Sequence, residues 1–364
     1  MKERSHGGNI YEVMREIGWG SEKLLDFSAN INPLGFPESV REVIEKNIDS
    51  IIHYPDPEQR DLKKAAASYY GVGEENVLPG NGSVELINLA LETLRPSKVI
   101  IPSPAFTEYA MSAKARGIEV ELLDLTKNGF MWDGDFEELL IKKMSLGSLV
   151  IVCNPNNPTG ILVSSENIRA LMKEAKRKGA FLLLDEAFID FIGEHESLGR
   201  EAINYPNIII LRSLTKFFAL PGLRLGFAIA NRDLVSRIEK LKDPWNVNTF
   251  AAAVGREVLK DEEYIKRTRE YIDRERNFLW HKLKEFDGLK PFKPSANFIL
   301  VKITGNFTAS YLSRELLKKG IMIRTCGDFA FLDDTYFRVA VKSREDNETL
   351  IEALKSILYG RKGG

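Results

Sequence analysis

The feature of this sequence that most constrains its fold is a series of short apolar runs separated by segments of helical pattern. Within each run nearly every residue is apolar, which is typical of strands buried on both faces of a sheet. Between the second and third runs, apolar residues recur at helical spacing from Ile168 to Ala175, and Gly179 ends the predicted helix. This rhythm predicts an α/β fold with a mostly parallel, doubly wound sheet. The runs are Val99–Ile101, Leu149–Cys153, Phe181–Leu184, Ile208–Leu211 and Leu223–Ala230.

The domain organisation is predicted from the chain length and from a change in this rhythm. A chain of 364 residues suggests about two domains. The rhythm changes near Asp243–Asn248, so we expect a large domain at residues 41–245 and a smaller α/β domain at residues 246–364. Residues 1–40 are expected to form an arm near the small domain and the active site, because their segment Asn32–Pro37 does not resemble core.

Composition narrows the possible partners and the compartment. The net charge is -1, from 51 Lys and Arg against 52 Asp and Glu, which argues against a nucleic-acid or membrane-surface partner. The two cysteines, Cys153 and Cys326, form no metal-binding spacing and no disulfide framework, as in a reducing compartment. No apolar segment follows the basic N-terminus, and no run approaches the ~20 residues of a membrane helix. A cytoplasmic location is therefore expected.

The carboxyl ends of the runs are the expected place for a ligand, as in other open α/β sheets. At one such end stands Lys216, between apolar segments that predict its burial. A buried ammonium is costly unless it is paired or neutralised. Taken alone, Lys216 could equally reach solvent by its long side chain; the functional alternative is a Schiff base with a carbonyl cofactor. The segments at these ends are Pro104–Phe106, Asn154–Gly160, Asp185–Phe188 and Ser213–Lys216.

Polar residues near Lys216 suggest an anion site but no metal site. Asp185 has only Glu186 as an adjacent acid and no nearby histidine, so no metal is expected. The glycine-rich turn Gly80–Ser83 opens a helical pattern, which could bind a phosphate, although many helices begin in this way. Ser213 and Arg224 could add a hydroxyl and a guanidinium. The S-x-x-K match at 213–216 lacks the other β-lactamase motifs, and no G-x-G-x-x-G supports a nicotinamide cofactor.

Three segments together resemble the fold-type I enzymes of the aminotransferase class I and II group, which depend on pyridoxal 5′-phosphate (PLP). They are NPNNPTG at 154–160, DEAF at 185–188 and SLTKFFALPGLRLGF at 213–227. The spacing of Asn157, Asp185, Lys216 and Arg224 is that of the group, and the match extends over nearly the whole chain. The resemblance implies a PLP enzyme with a large cofactor-binding domain and a smaller C-terminal domain.

The resemblance also implies individual roles. Lys216 would carry PLP as a Schiff base, and Asp185 would pair with the pyridine nitrogen. Tyr54 resembles a tyrosine that reaches the cofactor phosphate across a dimer interface, so a homodimer with shared sites is implied. The remaining cofactor contacts would be Asn157 at the ring oxygen, Phe106 stacked on the ring, and Gly82, Ser83, Ser213 and Arg224 at the phosphate.

Within the group, the chain resembles L-threonine-O-3-phosphate decarboxylases of cobalamin biosynthesis more than histidinol-phosphate aminotransferases. It shares HGGNI at 6–10, LLDFSANINPLG at 24–35 and PWNVN at 244–248 with the decarboxylases. It also shares Phe188, where aminotransferases usually carry a tyrosine. The implied reaction converts L-threonine O-3-phosphate to (R)-1-amino-2-propanol O-2-phosphate and CO₂; the alternative is transamination of histidinol phosphate with 2-oxoglutarate.

The implied substrate site contains two arginines. Arg338, in FRVAV, resembles the arginine that binds the substrate carboxylate, and Arg324 is a second candidate for an anion; which anion each binds is left open. The other implied substrate residues are His6, Gly7, Gly8, Asn32 and Asn157. A PLP-binding module without catalysis and an α/β protein without PLP are the remaining alternatives.

Overall fold

The computed structural model describes residues 7–17 and 24–360. Its strands are β1 (Leu25–Asp26), β2 (Val77–Gly80), β3 (Lys98–Ser103), β4 (Glu119–Asp124), β5 (Leu149–Cys153), β6 (Phe181–Asp185), β7 (Ile208–Ser213), β8 (Gly226–Ala230), β9 (Leu289–Pro291), β10 (Phe298–Ile303), β11 (Ile321–Met322), β12 (Arg324–Thr325) and β13 (Tyr336–Ala340). Its α-helices are α1 (Ile10–Ile17), α2 (Ser39–Lys46), α3 (Arg60–Tyr70), α4 (Ser83–Leu94), α5 (Thr107–Lys114), α6 (Gly134–Lys143), α7 (Ser165–Lys178), α8 (Gly199–Ala202), α9 (Leu214–Phe217), α10 (Arg232–Glu239), α11 (Thr249–Val258), α12 (Glu262–Lys284), α13 (Ala309–Leu317) and α14 (Arg344–Tyr359).

The large sheet has seven strands in the order β2-β8-β7-β6-β5-β3-β4. Strands β3 to β7 pair in parallel, whereas β8 runs antiparallel to both β7 and β2. The predicted mostly parallel α/β sheet is therefore confirmed. The run predicted at Leu223–Ala230 becomes a strand only at Gly226, because Arg224 has a left-handed φ of 59° that interrupts extended backbone.

Helices cover both faces of this sheet, which explains why its strands are apolar throughout. In β5, Val150 and Val152 belong to one hydrophobic core with Leu171 of α7. Their neighbours Leu149 and Ile151 belong to the core on the other face, which also contains residues of α4 and α5. Successive residues of a strand point to opposite faces, so both faces need apolar side chains. The doubly wound arrangement puts the helix–strand connections at the sheet's carboxyl edge, where ligands bind in such folds.

The C-terminal part of the chain forms a second, antiparallel sheet in the order β12-β13-β10-β9. Two helices, α11 and α12, precede this sheet in the chain, and the side chain of Asp261 caps the second by accepting from the Tyr264 N–H. Strand β1 pairs in parallel with β11, and the Ala340 N–H donates to the Phe27 carbonyl, so residues 25–27 join this part of the molecule.

The domain limits at residues 40 and 245 stay a prediction. Within the described ranges, none of the helices has the length and apolar character needed to cross a membrane.

Candidate active site

A cavity of about 170 Å³ lies at the carboxyl edge of the large sheet, where the antiparallel sheet meets it. Both sheets contribute to its walls, as does the segment that follows β1. The residues predicted from the sequence that line it are Gly7, Phe106, Asn157, Lys216, Arg324 and Arg338. It also contains Ser28, Asn30 and Phe329, for which the sequence predicts no role.

Lys216 stands on the short helix α9, directly after β7. Its Nζ donates to the Ser213 hydroxyl at 3.3 Å and lies 6.0 Å from the centre of the Phe188 ring. Burial lowers the pKa of Lys216, an effect that the Asp185 carboxylate opposes. A lysine amine with a lowered pKa is the form that can attack a carbonyl carbon. The geometry thus favours the nucleophilic reading of Lys216 over a solvent-exposed one.

Asp185 is the last residue of β6 and is almost fully buried. One carboxylate oxygen accepts from the Tyr109 hydroxyl at 2.6 Å, and the other accepts from the Ala187 N–H at 3.0 Å. Burial raises the pKa of Asp185, and among the described residues no arginine, lysine or histidine lies within ion-pair distance of it. A buried carboxylate of this kind suits a protonated ring nitrogen, which would restore the missing positive partner. Tyr109 is not among the residues predicted from the sequence, although its position one helical turn after Phe106 is a usable signal.

An anion cradle is formed where β2 leads into α4. Gly82 caps α4 with φ 79° and offers no side chain to the free N–H groups of the first turn. A Cβ on Gly82 would lie 2.5 Å from Nη2 of Arg224, so the arginine packs directly against this turn. A Cβ on Gly226 would lie 3.0 Å from the Ser83 backbone nitrogen. Backbone N–H groups, a helix N-terminus and a guanidinium in one place form a site for a phosphate. Ser213, the last residue of β7, is the strand partner of Gly226 in β8.

Two aromatic rings and an amide complete this side of the cavity. Phe106 stands at the start of α5 with its ring edge-on to Tyr109, at 5.5 Å between centroids. Phe188 is buried and packs edge-on against Phe298. The Asn157 amide oxygen accepts a hydrogen bond from Arg338. A flat ring held between Phe106 and these groups would therefore adjoin the arginine side of the cavity.

The two arginines are buried: Arg324 is 6% exposed and Arg338 is 5% exposed. Arg338 donates to the Ser28 carbonyl at 2.8 Å, and burial lowers its pKa to about 10. Gly7 closes over this guanidinium, since a Cβ on Gly7 would lie 3.3 Å from its Nη2, and the Gly8 N–H donates to the Ser28 hydroxyl. His6 lies outside the described residues.

Asn32 is not among the residues that line the cavity, and its predicted place in the substrate site stays a prediction. Its side-chain amide donates to the Phe217 carbonyl at 2.8 Å and to the Tyr264 hydroxyl at 2.8 Å. Its backbone N–H donates to the Lys216 carbonyl at 3.0 Å. Asn30, two residues earlier, faces the cavity instead. The structure thus places Asn32 behind the lysine, where it fixes the turn that carries Lys216.

Tyr54 is likewise remote from the cavity of its own chain. Its side chain is 79% exposed and stacks on Trp245 with ring centroids 4.6 Å apart. Its exposed side chain is open to contact with another molecule. This placement is compatible with the predicted contact across a dimer interface.

The residues in and around the cavity fit PLP in each of its functional groups. Lys216 suits the carbonyl and Phe106 the ring face, and both line the cavity. Asp185 suits the ring nitrogen and the Gly82–Arg224 cradle the phosphate, and these residues lie outside the cavity lining. The Gly82 position supports this most directly, because its left-handed φ of 79° disfavours any residue with a side chain and keeps the N–H groups of the first turn of α4 open beside Arg224. In the described part of the chain, no group of His, Cys, Asp and Glu side chains could hold a metal ion.

Comparison with known proteins agrees with this reading. The family model "Aminotransferase class I and II" matches residues 22–354. A protein of Caldanaerobacter subterraneus subsp. tengcongensis that bears the provisional name threonine-phosphate decarboxylase is 42% identical over 98% of this chain and 95% of its own length. Threonine-phosphate decarboxylase of Salmonella typhimurium is 36% identical over 98% of this chain and 97% of its own length. The crystal structure of histidinol-phosphate aminotransferase from Clostridium acetobutylicum is 35% identical, with a TM-score of 0.86 over 93% of this chain and 100% of that one. This chain therefore belongs to the aminotransferase class I and II family.

Proposed function

We propose that this protein decarboxylates L-threonine O-3-phosphate to (R)-1-amino-2-propanol O-2-phosphate and CO₂, with PLP bound at Lys216. The observation that carries the proposal is the pair Arg324 and Arg338, both buried and both facing one small cavity beside the lysine. A phosphorylated amino acid brings two anionic groups and one amine, and the cavity offers two guanidiniums and one reactive lysine. The names of the 42% and 36% identical relatives support the same substrate.

Each residue would contribute a defined step. When bound, PLP would supply an electron sink for the charge that develops at the substrate Cα. Asp185 would hold a proton at the ring nitrogen, because its buried carboxylate has room for one more hydrogen-bond donor. The two arginines would orient the substrate so that the bond to its carboxylate stands perpendicular to the ring. After CO₂ leaves, Lys216 would deliver a proton to Cα as general acid.

Transamination of histidinol phosphate is the second candidate, because the 35% identical crystal structure is of such an enzyme. Histidinol phosphate carries a single anionic group and a bulky imidazole. Two buried arginines that face the same cavity suit a substrate with two anionic groups better. Phe188 also removes the hydroxyl that aminotransferases usually place at this position.

The direct test is to incubate the purified, PLP-loaded protein with L-threonine O-3-phosphate and to measure released CO₂ and the amino-alcohol phosphate. We expect stoichiometric formation of both, with no requirement for 2-oxoglutarate. A parallel reaction with histidinol phosphate and 2-oxoglutarate should produce no glutamate. Glutamate formation without CO₂ release would instead establish the aminotransferase activity and refute the decarboxylase.

We further propose that the active form is a homodimer in which Tyr54 completes the partner's phosphate cradle. The segment before Tyr54 supports this, since Ile51 and Ile52 are 62% and 79% exposed. Together with Tyr54 and Trp245 they form an exposed apolar surface of the kind that marks protein interfaces. A second copy of the chain would cover this surface and bring Tyr54 to the site at the same time.

Replacing Tyr54 with phenylalanine should weaken PLP retention without removing it. The variant loses one hydrogen bond to a charged phosphate, which contributes about 1.5–3 kcal/mol at most. Dialysis of the holoprotein followed by absorption spectroscopy would give the dissociation constant of PLP. Tyr205→Phe is the matched control, because Tyr205 packs near Lys176 away from the cavity. Equal PLP affinity in Tyr54→Phe and in the unmodified protein would remove Tyr54 from the site.

A further inference from the structure

The two cavity arginines form an unusual pair within the antiparallel sheet. Arg324 of β12 and Arg338 of β13 are direct Cα partners, so their side chains lie on the same face. Like charges placed opposite each other across strands repel, and both arginines are buried. A site that keeps two such cations together requires negative charge, from the protein or from a ligand.

The protein supplies a carboxylate to only one member of this pair, as far as the described residues extend. Nη2 of Arg324 donates to Oδ2 of Asp328 at 2.6 Å, and Nη1 donates to the Thr325 carbonyl at 2.6 Å. Arg338 contacts the Ser28 carbonyl and the Asn157 amide oxygen, which are neutral acceptors. Among the described residues, no carboxylate lies within ion-pair distance of Arg338. Asp328 therefore neutralises one arginine when no substrate is bound.

Asp328 is well placed to give up this contact. Its side chain is 36% exposed, whereas that of Arg324 is 7% exposed. Because the Asp328 side of the pair is partly exposed, water can solvate its carboxylate when the contact breaks, which lowers the cost of breaking it. Asp328 and Ala330 also line a separate cavity of about 300 Å³ that lies beyond Phe106 and Thr107. The carboxylate could turn into this space while Phe329, the next residue, remains at the wall of the substrate cavity.

We propose that Asp328 is a built-in competitor of the substrate phosphate for Arg324, and that it restricts the site to strongly charged substrates. The inference rests on the proposed function, since it takes the ligand to be a phosphorylated amino acid. Two arginines and one aspartate leave one positive charge, which the substrate carboxylate alone could balance. A phosphate carries about −1.5 to −2 charges and accepts several hydrogen bonds, so it can displace the aspartate. An unphosphorylated amino acid lacks the group needed to do so.

The test compares anion binding to the PLP-loaded proteins with and without Asp328→Asn. Holoprotein is required because PLP then occupies the other phosphate cradle. Calorimetric titration with inorganic phosphate and spectroscopic titration with L-threonine O-3-phosphate should both give dissociation constants about 3–10-fold lower in the variant. The dissociation constant of L-threonine should change less than that of L-threonine O-3-phosphate in the same titrations, because L-threonine brings no second anionic group to Arg324.

The matched control is Asp333→Asn, which removes the same charge from the same loop. Within the described part of the chain, the Asp333 side chain accepts its hydrogen bonds from Thr335 and not from Arg324. If phosphate binds equally more tightly to this control, the change in net charge alone explains the effect, and the proposal is overturned. Unchanged or weaker phosphate binding in Asp328→Asn would overturn it too, because Asp328 would then hold Arg324 in its binding position. Inorganic phosphate reports on Arg324 even if the unmodified protein releases no CO₂, so the two proposals fail separately.

Discussion

Replacing Lys216 with alanine is expected to abolish turnover while the protein still folds. Among the described residues that line the cavity, Lys216 alone can both attach a carbonyl cofactor and return a proton to Cα. We expect the rate of CO₂ release to fall on the order of 10³-fold or more. The absorption band of protein-bound PLP should be lost or shifted at the same time. Both quantities can be read from one sample of purified variant.

The control for this experiment is Lys173→Ala. Lys173 is exposed on α7, so its loss should change neither the spectrum nor the rate. Circular dichroism would check that Lys216→Ala keeps its secondary structure. The removal of a buried amine whose pKa is already lowered by burial gives no reason for unfolding. Full activity in Lys216→Ala would refute the central claim about this site.

Replacing Arg212 with methionine should cause the largest loss of stability. Arg212 is completely buried, and its guanidinium contacts Asp190 at 2.6 Å, Glu194, and Glu186 at 3.7 Å. It also lies over the ring of Tyr70, 4.5 Å from the centroid. Methionine fills similar volume but leaves these carboxylates without their shared cation. Breaking a buried ion pair from one side costs about 3–5 kcal/mol, and we expect the free energy of unfolding to fall by that amount.

Urea unfolding, followed by fluorescence, would measure this loss. Arg177→Met is the control, because Arg177 pairs with Glu174 on the exposed side of α7 and should change stability by less than about 1 kcal/mol. If Arg212→Met is too unstable to purify, Arg212→Lys should give a smaller loss, since it keeps the charge but not the planar fork. A loss below about 1 kcal/mol in Arg212→Met would show that the carboxylates are neutral without it. Burial already raises the pKa of Glu186 to about 7, which is the physical route to such a result.

The strands of the large sheet are predictable only where burial on both faces requires a continuous run of apolar residues. Strands β5 and β6 are apolar on both faces, and their predicted limits agree with the structure almost to the residue. Strand β4 escapes prediction because it lies at the sheet edge and mixes Glu119 and Glu121 with apolar residues. Strand β2 escapes it because it has four residues, two of which are Pro79 and Gly80. The antiparallel direction of β8 is not predictable, because an apolar run carries no information about direction.

The site is predictable to the extent that it lies at strand ends. The rule for open α/β sheets points to Asn157, Asp185 and Lys216 from their positions in the sequence alone. The Tyr109–Asp185 hydrogen bond and the Arg338–Asn157 contact join residues 76 and 181 positions apart. No spacing rule operates over such separations. The packing of α5 on the large sheet brings Tyr109 to Asp185, and the packing of the two sheets brings Arg338 to Asn157. The same limit applies to Asn32, whose sequence context does not show its hydrogen bonds to the Phe217 carbonyl and the Tyr264 hydroxyl.

The segment from Ser28 to Asn32 has a mechanical consequence. At one end its carbonyl is held by Arg338, and at the other its N–H holds the Lys216 carbonyl. A few residues of main chain therefore fix the distance between the anion pocket and the reactive amine. This distance depends on the number of backbone residues rather than on the conformations of flexible side chains. In a substrate whose anionic group is one bond nearer to or farther from its amino group, the amino group would be displaced from Lys216. Inserting one residue into the segment from Ser28 to Asn32 would therefore change which substrate lengths the site accepts.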